Sequence, residues 1–291
     1  MATQRRRLDA ELVRRGLADS RQNARLRIEA GDVLVGGSPA DKPARLVSAG
    51  EPIELQGPPP QFVGRGGVKL AAALEAFDVE VAGAAAVDVG ASTGGFTDCL
   101  LQHGAASVVA LDVGHGQLHE RLRSDPRVTV LERCNVRDLA PGRCDDATRA
   151  RLVGPPAPLV VADLSFISLR TVADALAALA APGAAVIVLI KPQFEAGHRT
   201  VARGRGVVTD PVVWEQVVHD VIEGFAAHQL CLVDLLESPL RGASGNVEFL
   251  GHFRHAADPG PADAITRAQV ADVVAGAVGS PGAVEEAASC R

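Results

Sequence analysis

Of the 29 strong bases in this 291-residue chain only three are lysines, Lys42, Lys69 and Lys191. Surface lysine and arginine often interchange, so a lysine kept in an arginine-rich chain is a candidate for work arginine cannot do. Arginine stays charged at any biological pH, whereas a buried lysine can release its proton and act as a base. Lys191 ends the apolar run Val186-Ile187-Val188-Leu189-Ile190, and strand ends are where the active sites of open α/β sheets gather. Lys69 lies in Arg65-Gly66-Gly67-Val68-Lys69-Leu70. Lys42, in Asp41-Lys42-Pro43, has no such setting and reads as a surface residue.

Carboxylates stand in comparable places. The run Leu159-Val160-Val161-Ala162 ends at Asp163, and adjacent strand ends lie side by side, so Asp163 and Lys191 are expected to be neighbours. A plain ion pair in a cleft is the alternative. Glu248 sits between Val247 and Phe249 on an expected apolar strand, an odd place for a carboxylate without a partner.

A glycine-rich run, Asp88-Val89-Gly90-Ala91-Ser92-Thr93-Gly94-Gly95-Phe96, follows what reads as the first strand of the larger domain. Glycines there let a ligand approach the backbone at a helix N-terminus. The run is neither the dinucleotide fingerprint nor a P-loop. The next strand ends in Asp112, which can accept hydrogen bonds from a ribose diol. With acidic Asp88 and no phosphate-clamping lysine, the pocket suits a positively charged nucleoside such as S-adenosylmethionine (SAM). A ligand-free turn and a nicotinamide or flavin dinucleotide are the alternatives. The candidate cofactor residues are Asp88, Gly90, Ser92, Thr93, Gly94, Gly95, Phe96, Asp112 and Asn135.

These positions need a scaffold of alternating elements. Gly57-Pro58-Pro59-Pro60-Gln61 breaks the chain, because consecutive prolines continue neither a helix nor a central strand. Ahead of it, helices are expected over Leu8–Gly16 and Arg21–Ala30, with an Asp19-Ser20 start, then short strands near Val33–Val35 and Pro52–Leu55. Beyond it, helices are expected over Lys69–Phe77, Gly94–Gly104 and Asp210–Gln229, with a further helix after Asp163 reaching Ala181. The strands are Ala86–Gly90, Ser107–Val113, Val128–Leu131, Leu159–Asp163, Ala185–Ile190, Cys231–Leu236 and Val247–Phe253. Strand-helix alternation means a mostly parallel, Rossmann-like sheet covered on both faces. The domains follow: a small α+β module at 1–57, a linker at 58–64, the α/β domain at 65–256, and an Ala/Gly/Pro-rich tail at 257–291, partly disordered apart from a short helix near Thr266–Val278.

Composition narrows the classes. No apolar run reaches the roughly 18 residues of a membrane helix, and the start lacks a signal peptide's apolar core, so a cytoplasmic protein is expected. Five scattered cysteines without a CxxC pair argue against a disulfide framework or zinc site, and no metal is called for. Residues 1–57 hold ten basic and eight acidic side chains, a net +2, against nineteen and twenty-seven beyond, a net −8. A basic module on an acidic body points to a polyanion as its partner. Arg14, Arg21 and Arg25 fall near helical spacing and are expected to share one basic face, with a solvated amphipathic pair as the alternative.

Taken together, Arg7-Leu8-Asp9, Ser20-Arg21, Gly31–Gly37, Arg65-Gly66-Gly67-x-Lys69-Leu70, Asp88–Phe96, Asp163–Ser168, Lys191-Pro192-Gln193-Phe194-Glu195 and Gly245-Asn246-Val247-Glu248-Phe249 carry a likeness. The chain resembles the TlyA-type (haemolysin A-like) RNA 2′-O-methyltransferases, which join an S4 RNA-binding domain to an FtsJ-like methyltransferase domain. The linker Pro60-Gln61-Phe62-Val63 departs from that family's usual tryptophan-containing form. The resemblance implies a Lys-Asp-Lys-Glu tetrad on Lys69, Asp163, Lys191 and Glu248. It also implies SAM as donor and a ribosomal RNA ribose, of cytidine, as acceptor. RNA contacts are then expected from Arg6, Arg7, Arg14, Arg21, Arg25 and Arg65. The expected partners are ribosomal RNA or ribosomal subunits, met by a monomer that needs neither membrane nor metal.

In this reading Lys191 is the choice for general base to the 2′-hydroxyl, with Lys69 as the alternative that the sequence leaves open. Lys69 beside it disfavours double protonation, and Asp163 and Glu248 orient the lysines. The rival readings are a non-catalytic S4-type assembly factor and a membrane-active haemolysin. The absence of a long apolar or strongly amphipathic segment argues against the latter.

Overall fold

The computed structural model describes residues 5–18, 21–57, 60–197, 204, 206–242, 245–256 and 265–278. The chain divides into two compact units, Met1–Arg65 and Gly66–Arg291.

In the first unit β1 (Arg5–Arg7) leads into helices α1 (Leu8–Arg14) and α2 (Arg21–Glu29). Four short strands follow: β2 (Val33–Val35), β3 (Ser38–Pro39), β4 (Leu46–Ser48) and β5 (Ile53–Leu55). β2 is central in a β3-β2-β5 sheet, and β1 pairs antiparallel with β4. Leu8, Leu12, Ala24, Ile28, Val33, Val35 and Val47 form the core. Helix α1 ends before the expected Gly16, which takes a positive φ of 69°, the usual way out of a helix. Strand β1 was not expected: three exposed arginines show no alternation, and only backbone pairing to β4 makes them a strand. The expected Asp19-Ser20 helix start lies outside the described residues.

The second unit begins with α3 (Gly66–Ala76), β6 (Ala85–Val89), α4 (Gly95–Gln102), β7 (Ser107–Leu111), α5 (Glu120–Arg123) and β8 (Val128–Leu131). Then come α6 (Asp146–Val153), β9 (Ala157–Ala162), α7 (Ala173–Leu179), β10 (Ala180–Ile190) and α8 (Pro192–Glu195). It closes with α9 (Pro211–Ala226), β11 (Leu230–Glu237), β12 (Phe249–His255) and α10 (Arg267–Gly276). The seven strands run in the order β11-β12-β10-β9-β6-β7-β8. The five from β10 to β8 are parallel, and β12 is antiparallel to both its neighbours. Consecutive residues Leu159–Ala162 and Val186–Ile190 are all at most 1% exposed, so both faces are covered and the strands read as unbroken apolar runs. Strand order reverses between β6 and β9, the switch point beside which open α/β sheets bind ligands.

Four expectations change. The helix meant to reach Ala181 stops at Leu179, and the chain is already extended at Ala180, paired with Ala157; sheet pairing outweighs alanine's helix preference. Helix α6 was missed because its face is charged, although Asp145 accepts from Thr148 N as an N-cap. Strand β12 starts at Phe249, so Glu248 lies just before it. Part of the expected tail is built into the core: Thr266 and Gln269 form a capping box for α10, which buries Val270 and Val274. Residues 257–264 and 279–291, where disorder was expected, lie outside the described residues.

Candidate active site

The carboxyl ends of the parallel strands deliver the chemistry. Burying a charge costs several kcal/mol unless it is paired, so a lysine at the end of a dry strand requires a nearby acid. Lys191 Nζ lies 2.6 Å from Asp163 Oδ1. The approach is ionic, without good hydrogen-bond direction; the ammonium donates instead to Ser165 Oγ at 3.0 Å. Lys69 occupies the first turn of α3, where a cation opposes the helix dipole. It is buried and donates to Glu248 Oε2, which is equally buried. Each lysine thus has its own carboxylate, and the repulsion expected between the two ammonium groups is offset at its source.

Local backbone brings the pairs together. A Cβ on Gly66 would lie 3.2 Å from Phe96 Cδ1 and 3.5 Å from Asp163 Oδ2, so the start of α3 abuts Asp163. Gln193, two residues past Lys191, donates to Glu248 Oε1 at 3.4 Å, and its own Oε1 is buried without a partner. Asn246 fixes the turn ahead of Glu248 by accepting from Val208 N and donating to Gly206 O, both at 3.0 Å. The four expected tetrad residues therefore share one end of the sheet.

The glycine run makes room for neighbouring parts of the chain. Gly90 has φ 88°, and a Cβ there would lie 2.7 Å from the Asp163 carbonyl oxygen, which is the switch-point contact itself. Gly94, φ 98°, makes way for Leu122 of α5. Phe96 is buried under Gly66 and serves packing. Ser92 also has a positive φ, 48°, and its N–H donates to Asp112 Oδ2 at 2.8 Å while Gly114 N donates to Oδ1 at 2.6 Å. Thr93 accepts from His119 N through its carbonyl. Asn135 caps the 3-10 turn Val136–Leu139 by accepting from Arg137 N at 3.1 Å. Asp88 is fully buried; Oδ2 accepts from Thr97 Oγ1 at 2.6 Å, but Oδ1 has no partner. Burial pushes its carboxyl up to about 7, the Thr97 hydroxyl pulls it down, and the charges of Asp163 and Asp112 add to the rise.

Phe166 lies in the loop after Asp163 and was not among the expected site residues. It is 91% exposed with φ 65°, and its ring lies 5.2 Å from that of Phe194. Lys191 Nζ lies 5.9 Å from the Phe194 ring centre. A non-glycine residue held at positive φ persists only where its surroundings over-determine it; the flanking Leu164, Ser165, Ile167 and Ser168 gave no compositional signal for it.

In the first unit five arginines divide between two buried acids. Arg7, Arg21 and Arg25 all reach Asp9, with distances of 3.0, 3.0 and 3.3 Å. Arg14 and Arg15 converge on Glu11, whose carboxyl they hold down at about 2. The single basic face expected for Arg14, Arg21 and Arg25 is thus two clusters, because Arg14 stays with an acid on its own helix. Arg6 is exposed on β1, and Arg65 lies 3.8 Å from Glu29.

Two family profiles match this chain. The profile of the FtsJ-like methyltransferase family matches residues 62–255, and that of the S4 domain residues 6–53. The 16S/23S rRNA (cytidine-2′-O)-methyltransferase TlyA of Mycobacterium tuberculosis is 48% identical over 270 residues, covering 91% of this chain and 97% of that protein. Hemolysin A of Brachyspira hyodysenteriae is 36% identical over 247 residues, covering 85% and 99%. A solved structure from Streptococcus thermophilus, described as a candidate hemolysin, superimposes with a TM-score of 0.74 at 33% identity, covering 99% of this chain and all of that one. The chain belongs to the FtsJ-like methyltransferase family and carries an S4 domain ahead of its methyltransferase domain.

Proposed function

We propose that this chain transfers a methyl group from SAM to the ribose 2′-hydroxyl of a cytidine in ribosomal RNA. The observation that carries the reading is the pair of ion pairs, Lys191–Asp163 and Lys69–Glu248, gathered beside an acidic glycine loop at the switch point. The name of the Mycobacterium relative supports the substrate.

The residues present suit SAM. Asp88 offers a buried acceptor without a partner, Asp112 offers carboxylate oxygens at the end of β7, and no lysine is placed to clamp a phosphate. Gly90, Ser92, Thr93, Gly94, Gly95 and Asn135 line or shape the same loops, with Phe96 beneath them. When bound, SAM supplies an electrophilic methyl group on a positively charged sulfur. The chain's own part is to place the ribose and receive a proton. Lys191, held by Asp163 and Ser165, first gives up its ammonium proton to solvent, and the neutral amine then takes the 2′-hydroxyl proton at Nζ; general bases of this kind contribute about 10²–10⁴ in rate. Lys69 and Glu248 form a neutral wall that positions the ribose, and positioning supplies much of the remainder.

The S4 unit presents Arg6, Arg7, Arg14, Arg21, Arg25 and Arg65 to the RNA backbone, where each phosphate contact adds salt-dependent affinity. Ribosomal RNA or a ribosomal subunit is the partner, met in the cytoplasm by a monomer. No helix among the described residues is long and apolar enough to cross a membrane. The experiment is transfer of labelled methyl from SAM to isolated subunits, with 2′-O-methyl positions mapped in 16S and 23S rRNA. Labelled cytidine 2′-O-methyl supports the reading; SAM binding with no methylated RNA refutes it.

A further inference from the structure

The two loops that carry Asp163 and Lys191 are joined a second time, away from the sheet. Glu195 ends α8, four residues beyond Lys191, and its side chain is 1% exposed. Its Oε2 accepts from Ser168 Oγ at 2.5 Å, and its Oε1 accepts from Leu169 N at 2.6 Å. Ser168 and Leu169 lie five and six residues beyond Asp163. At their base the loops are held by β9–β10 pairing, with Ala162 opposite Val188. Between that base and Glu195 lie the Lys191–Asp163 contact, the Lys191–Ser165 hydrogen bond and the Phe166–Phe194 ring contact. Glu195 touches none of the reacting groups assigned above.

A local capping role does not account for this geometry. Ser168 already caps the 3-10 turn Leu169–Val172, accepting from Arg170 N at 3.3 Å. The carboxylate comes from a different loop, twenty-seven residues away from Ser168. It is also held by Arg170, whose Nε lies 3.7 Å from Oε2 and whose Nη1 lies 3.6 Å from Asp220 of α9. Two coplanar oxygens taking two donors from one neighbouring loop give charge-assisted bonds with fixed direction. An independent observation agrees. Phe166, two residues before Ser168, holds φ 65°, and such a conformation persists only where the surroundings over-determine it.

We infer that Glu195 is a positioning residue for methyl transfer, a clasp that locks the Asp163 loop onto the Lys191 loop and so fixes the amine that receives the proton. This rests on the proposed function of the same site. The arrangement divides labour: the sheet sets the spacing of the loop bases, and Glu195 sets their outer register.

The test uses the full chain and three variants. Glu195→Ala opens the clasp. Glu195→Gln keeps it, since the amide oxygen accepts from Leu169 N and the amide N–H donates to Ser168 Oγ. Ser168→Ala removes one limb with little risk to folding. Because a misplacement of about 1 Å can cost 10²-fold, the expected kcat loss is about 10–100-fold for Glu195→Ala and about 3–10-fold for Ser168→Ala. Glu195→Gln is expected within about 3-fold of wild type, and KM for RNA and the Kd for S-adenosylhomocysteine stay within about 3-fold throughout. Selective carbon-13 lysine labelling gives a readout apart from activity, since the chain has three lysines. The Lys191 signal is expected to shift in Glu195→Ala while those of Lys69 and Lys42 hold. Wild-type kcat in Glu195→Ala with an unmoved Lys191 signal overturns the clasp. So does joint loss of kcat and S-adenosylhomocysteine binding in Ser168→Ala, which marks a general structural role. If the wild-type chain methylates no ribosomal RNA, the functional reading fails, and the Lys191 signal alone decides the clasp.

Discussion

Removing Glu248 puts a number on the buried half of the tetrad. Lys69 and Glu248 are 7% and 3% exposed and meet across 179 residues of sequence. In Glu248→Gln the ammonium keeps an oxygen acceptor but loses its counter-charge. Breaking a buried pair from one side costs about 3–5 kcal/mol. The retained hydrogen bond favours the lower end, about 3 kcal/mol. For a unit of this size 1 kcal/mol moves the melting temperature by about 2–4 °C, so a drop of about 6–12 °C is expected. Lys69→Met alone also destabilises, whereas the double variant Lys69→Met/Glu248→Gln recovers at least about 2 kcal/mol relative to the sum of the two. Fluorescence isolates the right unit: the chain has one tryptophan and no tyrosine, and Trp214 sits buried with its ring 6.3 Å from Phe249, next to Glu248. Both single variants and the double are expected to lose methyl transfer. Additive stabilities, or a Glu248→Gln melt within about 2 °C of wild type, would refute a coupled buried pair.

Other sites give sharper ligand tests. Asp88 is raised from 3.8 to about 7, so the fold favours its protonated form, and stability falls as pH climbs through that window. Asp88→Asn is expected to melt higher than wild type at pH 8 and level with it at pH 4, and in calorimetry SAM affinity is expected to rise with pH for wild type, because a cation favours the ionised acid, but not for the variant. Gly90→Ala places a methyl 2.7 Å from the Asp163 carbonyl in a left-handed backbone; a stability loss of about 1–3 kcal/mol and at least tenfold weaker SAM binding are expected in melts and calorimetry. Arg21→Ala and Arg25→Ala should each flatten the salt dependence of RNA binding by about one unit of log–log slope, with no change in SAM affinity.

Legibility in the sequence followed a physical rule. Asp163 and Lys191 stand out because parallel strands buried on both faces are unbroken apolar runs, so the first polar residue marks the strand end. The glycine loop was legible as a turn after the first strand of the larger domain but not in its detail: that Gly90 yields to Asp163 and Gly94 to Leu122 depends on neighbours far away in sequence. Glu248 was recognised as a misplaced carboxylate, yet its partner Lys69 came from family likeness, since no local pattern links residues 179 apart. Strand β1 and helix α6 were missed because backbone pairing and a charged helix face leave no hydrophobic period. Glu195 and Phe166 were read only as motif letters. Their parts come from a cross-loop hydrogen bond and a positive φ, neither of which leaves a compositional trace.

The central claim is that Lys191 receives the 2′-hydroxyl proton. The most direct measurement is single-turnover methylation of ribosomal subunits at neutral pH by wild type and Lys191→Arg, with S-adenosylhomocysteine affinity measured alongside. Arginine preserves the charge opposite Asp163 but does not release its proton. The account predicts a rate loss of about 10²–10⁴ with cofactor affinity within about 3-fold; a Lys191→Arg enzyme that methylates near the wild-type rate would contradict it.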